Sequence, residues 1–252
     1  PPPPPPPPPP FFFKQKTADE IMPSLGGSEM CIRDRLHEIG IFLGGSNYIG
    51  DIGSHRYIDP NEFAYGVLYK WNVTDRYSLR SGVTFSNLNE NEFKNSDINR
   101  FRRSYKVNNP IQEITAGVEI NFKEFNLHDP EFSFTPYIFY GLGYFRYDQP
   151  YLISNGPIDP PSINVFSKDR KIAIPLSFGF KINPNPFFVL GFEIGARYTL
   201  TDNLDGSNPT TEILTEYPSA LEFGNFSNND WYIFTGLTIS FTFGDLPCYC
   251  KE

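Results

Sequence analysis

The most regular stretch of the chain is QEITAGVEINF, residues 112–122. Ile114, Ala116, Val118, Ile120 and Phe122 fall on one side of an extended backbone, and Glu113, Thr115, Gly117, Glu119 and Asn121 fall on the other. Successive side chains of a strand point to opposite faces, so this period of two predicts a β-strand. KIAIPLSFGFKI repeats it, with Ile172, Ile174, Leu176, Phe178, Phe180 and Ile182 alternating with Lys171, Ala173, Pro175, Ser177, Gly179 and Lys181. Six further segments, near 37–45, 62–72, 77–87, 134–146, 187–198 and 231–243, alternate in the same way, and nothing between them has a convincing helical period. Each is about long enough for a tilted strand to cross a bilayer, which takes roughly 9–11 residues.

The connections sharpen this picture. Short links, VTDR, KEFNLHDPEFS and NPNP, follow the second, fourth and sixth strands, whereas long polar ones, near 46–61, 88–111, 147–170 and 199–230, follow the first, third, fifth and seventh. An even strand count with short turns at one end and long loops at the other predicts an all-β fold: an eight-stranded antiparallel up-and-down transmembrane barrel of the small outer-membrane type, with periplasmic termini.

In such a barrel the apolar face meets lipid and the polar face lines the lumen. The lumen then receives Glu38, Arg80, Glu113, Glu119, Glu193 and Arg197, with Gly82, Gly117, Gly179, Gly195 and Gly236 making room beside them. A lone charge there is costly, so acids and arginines are expected to pair across the barrel. An acid–base site or an ion path is the competing reading of the same residues; a paired structural plug is the expectation adopted.

Aromatics collect at the strand ends. Tyr69, Trp71, Tyr77, Phe122, Phe134, Phe187, Phe241 and Phe243 lie toward the short turns, and Tyr65, Phe85, Tyr144, Tyr198 and Trp231 toward the long loops. Membrane interfaces favour such girdles, although aromatics suit any β protein. Proline cannot donate to a sheet ladder, so Pro136 is expected near a strand start and Pro175 at a bulge.

Composition excludes several classes. The 252 residues carry a formal net charge of −8, and no basic face suited to nucleic acid stands out. No apolar run is long enough for a transmembrane helix. The three histidines, His37, His55 and His128, are scattered, no zinc spacing links them to the three cysteines, and no serine or acid stands beside them in a catalytic arrangement. The expectation is a non-enzyme without metal or cofactor. TDNLDGSNP, residues 201–209, offers Asp202, Asn203 and Asp205 as oxygen ligands for calcium. It lacks the EF-hand spacing and terminal Glu, so an Asx-rich turn is expected instead.

The first 35 residues read differently. Ten prolines precede FFFKQKTADEIMPSLGGSEMCIRDR, which has neither strand alternation, nor a sustained helical stripe, nor the ordered parts of an export signal. It resembles translated sequencing-adapter read-through. Residues 1–35 are therefore expected to be a non-native leader in place of the signal peptide, leaving the chain as written in the cytoplasm. Residues 36–244 are expected to form the barrel and 245–252 a periplasmic tail.

HEIGIFLGGSNYIGDIG, TPYIFYGLGYF, GFEIGARYTLTDNLDG and NDWYIFTGLTISFTFG followed by PCYC occur in that order. Together they resemble a family of small Bacteroidota outer-membrane barrels, the PorG-like components of type IX secretion, over about residue 36 to the C-terminus. The resemblance implies an outer-membrane barrel without a catalytic residue, surrounded by outer-membrane lipid and associated with periplasmic ring proteins of that machine. The alternative is a narrow channel or a surface-binding small barrel. Cys248 and Cys250 would lie in the oxidising periplasm, either linking to a partner or forming an ordinary pair in a frayed tail. A disulfide within Cys-x-Cys would be a small strained ring.

Overall fold

The computed structural model describes residues 1, 36–50, 57–91, 106–127, 132–154, 162–185, 187–223 and 229–244. The chain divides into two compact units, Pro1–Asp34 with Leu246–Glu252, and Arg35–Asp245. In the first unit Pro1 alone is described, so the expectations for the leader, Cys248 and Cys250 fall outside the described residues, as do those for His55 and His128.

The second unit is a closed barrel of eight antiparallel strands: β1 (Leu36–Ile49), β2 (Glu62–Asn72), β3 (Tyr77–Asn91), β4 (Lys106–Asn121), β5 (Ser133–Ile153), β6 (Ser162–Asn185), β7 (Phe188–Thr199) and β8 (Trp231–Phe243). Each strand pairs with the next, and β8 closes on β1 from His37↔Phe243 to Ile49↔Trp231. Both ends of the barrel chain, at Leu36 and Phe243, therefore stand with the short turns. Those turns are built from local side-chain acceptors. Thr74 Oγ1 accepts from the Arg76 and Tyr77 amides at 3.2 and 2.9 Å, and Asn185 Oδ1 accepts from those of Phe187 and Phe188 at 3.0 Å each.

The barrel is inside-out relative to a water-soluble one. Ile39, Ile41, Leu43, Val67, Leu142, Ile174, Leu176, Phe178, Leu237 and Ile239 form an exposed apolar belt, while Glu38, Lys70, Glu113, Glu119 and Lys181 are buried in the lumen. The aromatic girdles pack from strand to strand, with Tyr65 stacked on Phe85 (5.6 Å), Phe134 stacked on Phe180 (5.7 Å) and Tyr198 tilted against Trp231 (4.8 Å). His37 belongs to the lower girdle, lying over Tyr69, whose hydroxyl is 2.9 Å from its Nδ1.

Three expectations need correction. The segment 147–170 was expected to be a loop, yet β5 runs on to Ile153 and β6 starts at Ser162, so a paired ribbon stands beyond the belt. Its strand character is hidden because Tyr147, Gln149, Tyr151 and Leu152 are all buried, on both faces of the β5 arm, so no alternation of apolar and polar positions marks it. Pro175 does not sit at a bulge, since the β5–β6 register is the same on either side of it, Tyr140↔Leu176 and Gly143↔Ala173. The bulge lies at Pro150, where β6 has an extra residue between the pairs Asp148↔Lys168 and Pro150↔Val165; the missing proline donor falls where the ladder is already interrupted. Finally, the connection between β7 and β8 contains a short helix, α1 (Thr211–Glu216), whose single buried residue is Ile213; six residues are too few to show a helical period in the sequence.

Pro136 is the fourth residue of β5. Its carbonyl accepts from the Phe122 amide at 3.0 Å, just past the end of β4, so its absent N–H leaves no interior ladder bond unmade.

The exposed belt makes a direct prediction. Leu176→Arg, in the middle of the belt, is expected to weaken folding into lipid vesicles by about 2–4 kcal/mol, and Asn87→Arg, above the belt on the same outer face, by about 0–1 kcal/mol. Denaturant titration of the vesicle-inserted barrel measures both, and equal effects would mean that the belt does not face lipid.

Candidate functional site

The lumen is the most strongly built part of the molecule. Arg80 on β3 forms a two-pronged pair with Glu193 on β7, Nη1 to Oε2 at 2.6 Å and Nη2 to Oε1 at 2.9 Å, and the Tyr137 hydroxyl donates to the same carboxylate at 2.8 Å. Beside it Glu119 on β4 receives three cations. Lys70 Nζ lies 2.8 Å from Oε2, Lys181 Nζ 2.6 Å from Oε1, and Arg80 Nη1 3.5 Å from Oε2. Toward the long-loop end Glu113 accepts from the Tyr232 hydroxyl at 2.5 Å and faces Arg197 Nε at 3.4 Å. Arg197 also donates to the Gly195 carbonyl at 2.7 Å. A side chain at Gly195 would occupy the space of that guanidinium, so the glycine is what lets the arginine lie along its own strand.

Glu38, Arg80, Glu113, Glu119, Glu193 and Arg197 are all buried in the lumen. The structure joins Arg80, Glu119 and Glu193 into one network, pairs Glu113 with Arg197, and leaves Glu38 apart, held by Asn72 Nδ2 at 2.8 Å. Sequence reasoning passed over two members, Lys70 and Lys181. Both alternate with outward aromatic neighbours, Tyr69 and Trp71 for one and Phe180 for the other, and that alternation was the available signal. With them the described strands place four acids and four cations inside the barrel.

Rings fill the space that charges leave. Phe139 stacks under Arg80 and Phe234 under Arg197, each with the guanidinium carbon 4.8 Å from the ring centre. The cavity bordered by Arg80, Glu193, Arg197, Phe139 and Phe234 is about 10 Å³, room for about one water molecule. Both ends are stoppered. Phe125 and Leu127, from the link after β4, are buried at the short-turn end, with Lys181 Nζ 4.8 Å above the Phe125 ring. At the other end Leu204 joins Tyr48, Leu88, Phe145 and Tyr232 in the core, its carbonyl accepting from Asn109 Nδ2 at 2.7 Å.

Above this plug the loop with Asp202, Asn203 and Asp205 folds as Asx turns. Asp205 Oδ1 accepts from the Ser207 amide at 2.9 Å, Asn208 Nδ2 donates to Asp202 at 3.1 Å, and Gly206 takes a left-handed φ of 83°. Among the described residues no group of three or more His, Cys, Asp or Glu is arranged to hold a metal ion. Asp230 anchors the loop: it accepts from the Tyr48 hydroxyl and from the Leu204 amide, the latter at 2.8 Å. Burial, with Asp205 and Asp202 close by, raises its carboxyl well above the usual carboxylate range, against the pull of those two donors.

Two outcomes are expected. Glu119→Gln leaves Lys70 and Lys181 without their counter-charge and should cost about 3–5 kcal/mol of barrel stability, whereas Arg76→Ala, which breaks the exposed Arg76–Glu124 pair, should cost at most about 1 kcal/mol. Denaturant midpoints of the refolded barrel, read from the gel mobility of folded and unfolded chains, measure the difference. Asp230 has a raised folded value, so the folded state holds its proton longer than the unfolded state. Its contribution is complete below the unfolded carboxylate value of about 3.9 and declines as pH rises through the folded value. The same midpoints followed upward from about pH 4 should fall less steeply in Asp230→Asn than in the wild type; parallel slopes would remove this residue from the pH response.

Solved structures with a similar fold include the attachment invasion locus protein Ail of Yersinia pestis in complex with the heparin analogue sucrose octasulfate, at 12% identity and a TM-score of 0.41 over 83% of this chain and 99% of that one. Neisserial surface protein A, NspA, is similar at 11% identity and a TM-score of 0.43, covering 83% of this chain and 97% of its own. The outer membrane protein OprG from Pseudomonas aeruginosa is similar at 10% identity and 0.37, covering 84% and 96%. No curated protein matches the chain. A family match, by contrast, covers residues 26–252, and on that span the chain belongs to the family described as Domain of unknown function (DUF6089).

Proposed function

We propose that this chain is a non-enzymatic β-barrel of the outer membrane that works as an anchor, and that its partner is the periplasmic ring of type IX secretion. One observation carries the anchor reading: an apolar belt surrounds a lumen filled by paired charges and rings and stoppered at both ends. Among the described residues, such a lumen leaves little room to conduct ions or to admit a substrate. The barrel offers stiffness, an outer surface and two ends.

The type IX assignment rests on the ordered blocks HEIGIFLGGSNYIGDIG, TPYIFYGLGYF, GFEIGARYTLTDNLDG and NDWYIFTGLTISFTFG with PCYC. The placement of the chain ends is consistent with it. β1 begins and β8 ends beside the short turns, so both ends of the barrel's strand run lie at the end that would face the periplasm. The docking surface would then be formed by the short turns.

A second reading, a surface-binding barrel, is favoured by the ribbon of β5 and β6 beyond the belt. It is braced by Tyr151 stacked on Tyr217 at 4.8 Å and by the Leu221 amide donating to the Leu152 carbonyl at 2.8 Å. A supported ribbon is a better platform for a ligand than a loose loop.

Affinity capture from cross-linked native membranes tests the proposal. Periplasmic ring proteins should be recovered with the full chain, in reduced amount after Cys248→Ser and Cys250→Ser; recovery of none would sink the type IX assignment. In planar bilayers the barrel should give no discrete conductance steps, and steady steps would favour a channel.

A further inference from the structure

Among the described residues every arginine inside the barrel has its acid; on the outside two do not. Along the outer face of the β5–β6 pair the register runs Tyr140↔Leu176, then Tyr144↔Ile172, then Arg146↔Arg170. The first two rows belong to the exposed belt. The third sets two exposed guanidinium groups directly across from each other at its long-loop edge. Like charges facing across a ladder destabilise the pairing.

The nearby acids do not relieve this pair. Asp169 is turned to the inner face, where its Oδ2 lies 3.4 Å from the Tyr147 hydroxyl, 3.2 Å from Gln149 Nε2 and 3.3 Å from Lys171 Nζ. Asp148 stands 3.9 Å from Lys168. Among the described residues neither Arg146 nor Arg170 has an ion pair or a side-chain hydrogen bond of its own. On a chain with a net charge of −8, an unneutralised arginine pair is a local exception.

We infer that Arg146 and Arg170 together bind the phosphate of an outer-leaflet lipid whose acyl chains lie along the belt below them. The inference rests on the outer-membrane reading. Two planar forks side by side match the several oxygens of a phosphate, which would replace their mutual repulsion with charge-assisted hydrogen bonds. Tyr144 and Ile172 directly beneath supply the apolar surface that a lipid's chains require and a soluble phosphate does not. The site commits to a lipid because charge and belt are consecutive rows of one strand pair.

The test uses the full chain and R146Q/R170Q, each refolded into phosphatidylcholine vesicles containing either phosphorylated lipid A or lipid A stripped of its phosphates. The barrels are then extracted in mild detergent and the lipid A that stays bound is counted. The double variant should retain about thirtyfold less of the phosphorylated form than the wild type, the worth of two arginines at an anionic lipid surface. Stripped lipid A should be retained poorly and equally by both, and R170Q alone should fall between. Inorganic phosphate at the lipid concentration should displace nothing. Equal retention of phosphorylated lipid A by wild type and double variant, or equal retention of both lipids by the wild type, would overturn the site. Displacement by inorganic phosphate would make it a site for free anions and overturn the lipid assignment. Gel mobility separates the two levels of inference. A wild-type chain that does not insert overturns the membrane reading and this site with it, whereas insertion without phosphate-dependent retention overturns the site alone.

Discussion

A carboxylate shut inside a barrel too narrow for bulk water has to find a counter-charge or a hydrogen-bond donor on another strand of the same barrel. Removing one member of a buried pair costs several kcal/mol, because the survivor stays behind unpaired. Glu119 therefore fixes the relative positions of β2, β3 and β6, which bring Lys70, Arg80 and Lys181 to it, and Arg80 extends the constraint through Glu193 to β7. These contacts run across the lumen, between strands that are not all neighbours in the ladder. A slip of one residue in any of these strands would turn its charge out to the belt and an apolar side chain in. The network thus reports register as well as holding it.

The same constraint explains what could be read in advance. Strand number, order and inward face follow from the period of two, which is strongest where one side must be apolar for lipid and the other polar. That is why β4 and β6 are the plainest segments, and why the six charges singled out lie in the lumen. Lys70, between Tyr69 and Trp71, and Lys181, beside Phe180, are legible by the same alternation. What could not be read lies where the two-faced rule lapses. The aromatics Phe42, Tyr137, Phe139, Phe145 and Tyr232 face inward, although the rule gives rings to the outside. They are there because charges alone do not fill a lumen, and a ring beside a guanidinium fills space without competing for its hydrogen bonds. Above the belt side chains on both faces of the β5 arm are buried, so no alternation of apolar and polar positions marks it.

The two stoppers belong to the same packing problem. The link after β4 is longer than the other short turns, and the surplus is used to bring Phe125 and Leu127 under the lumen beside Val189. At the opposite end Leu204 and Ile213 come from the long connection between β7 and β8, so a segment that reads as a polar loop contributes two wholly buried side chains. A barrel stoppered in this way isolates the inner charges from water, which strengthens each pair and raises the cost of leaving one unmade. Rigidity of the wall and closure of the ends are one property seen in two places.

This division bears on where specificity can reside. The paired charges of the lumen have their partners within the chain and offer little to a ligand, and the girdle aromatics pack against one another. Among the described residues, arginines that still seek an acid are found at the edge of the belt, as with Arg146 and Arg170, adjacent on the outer face and lacking the acid that each lumen arginine has. Evolution of a new contact on such a scaffold meets little resistance there, because an exposed residue above the belt can change without disturbing the network that sets the register. Inside, a change in one charge obliges a change in its partner. The chemistry that distinguishes this barrel from others of its shape is therefore to be sought at its rims, and the lumen understood as the frame that holds those rims in place.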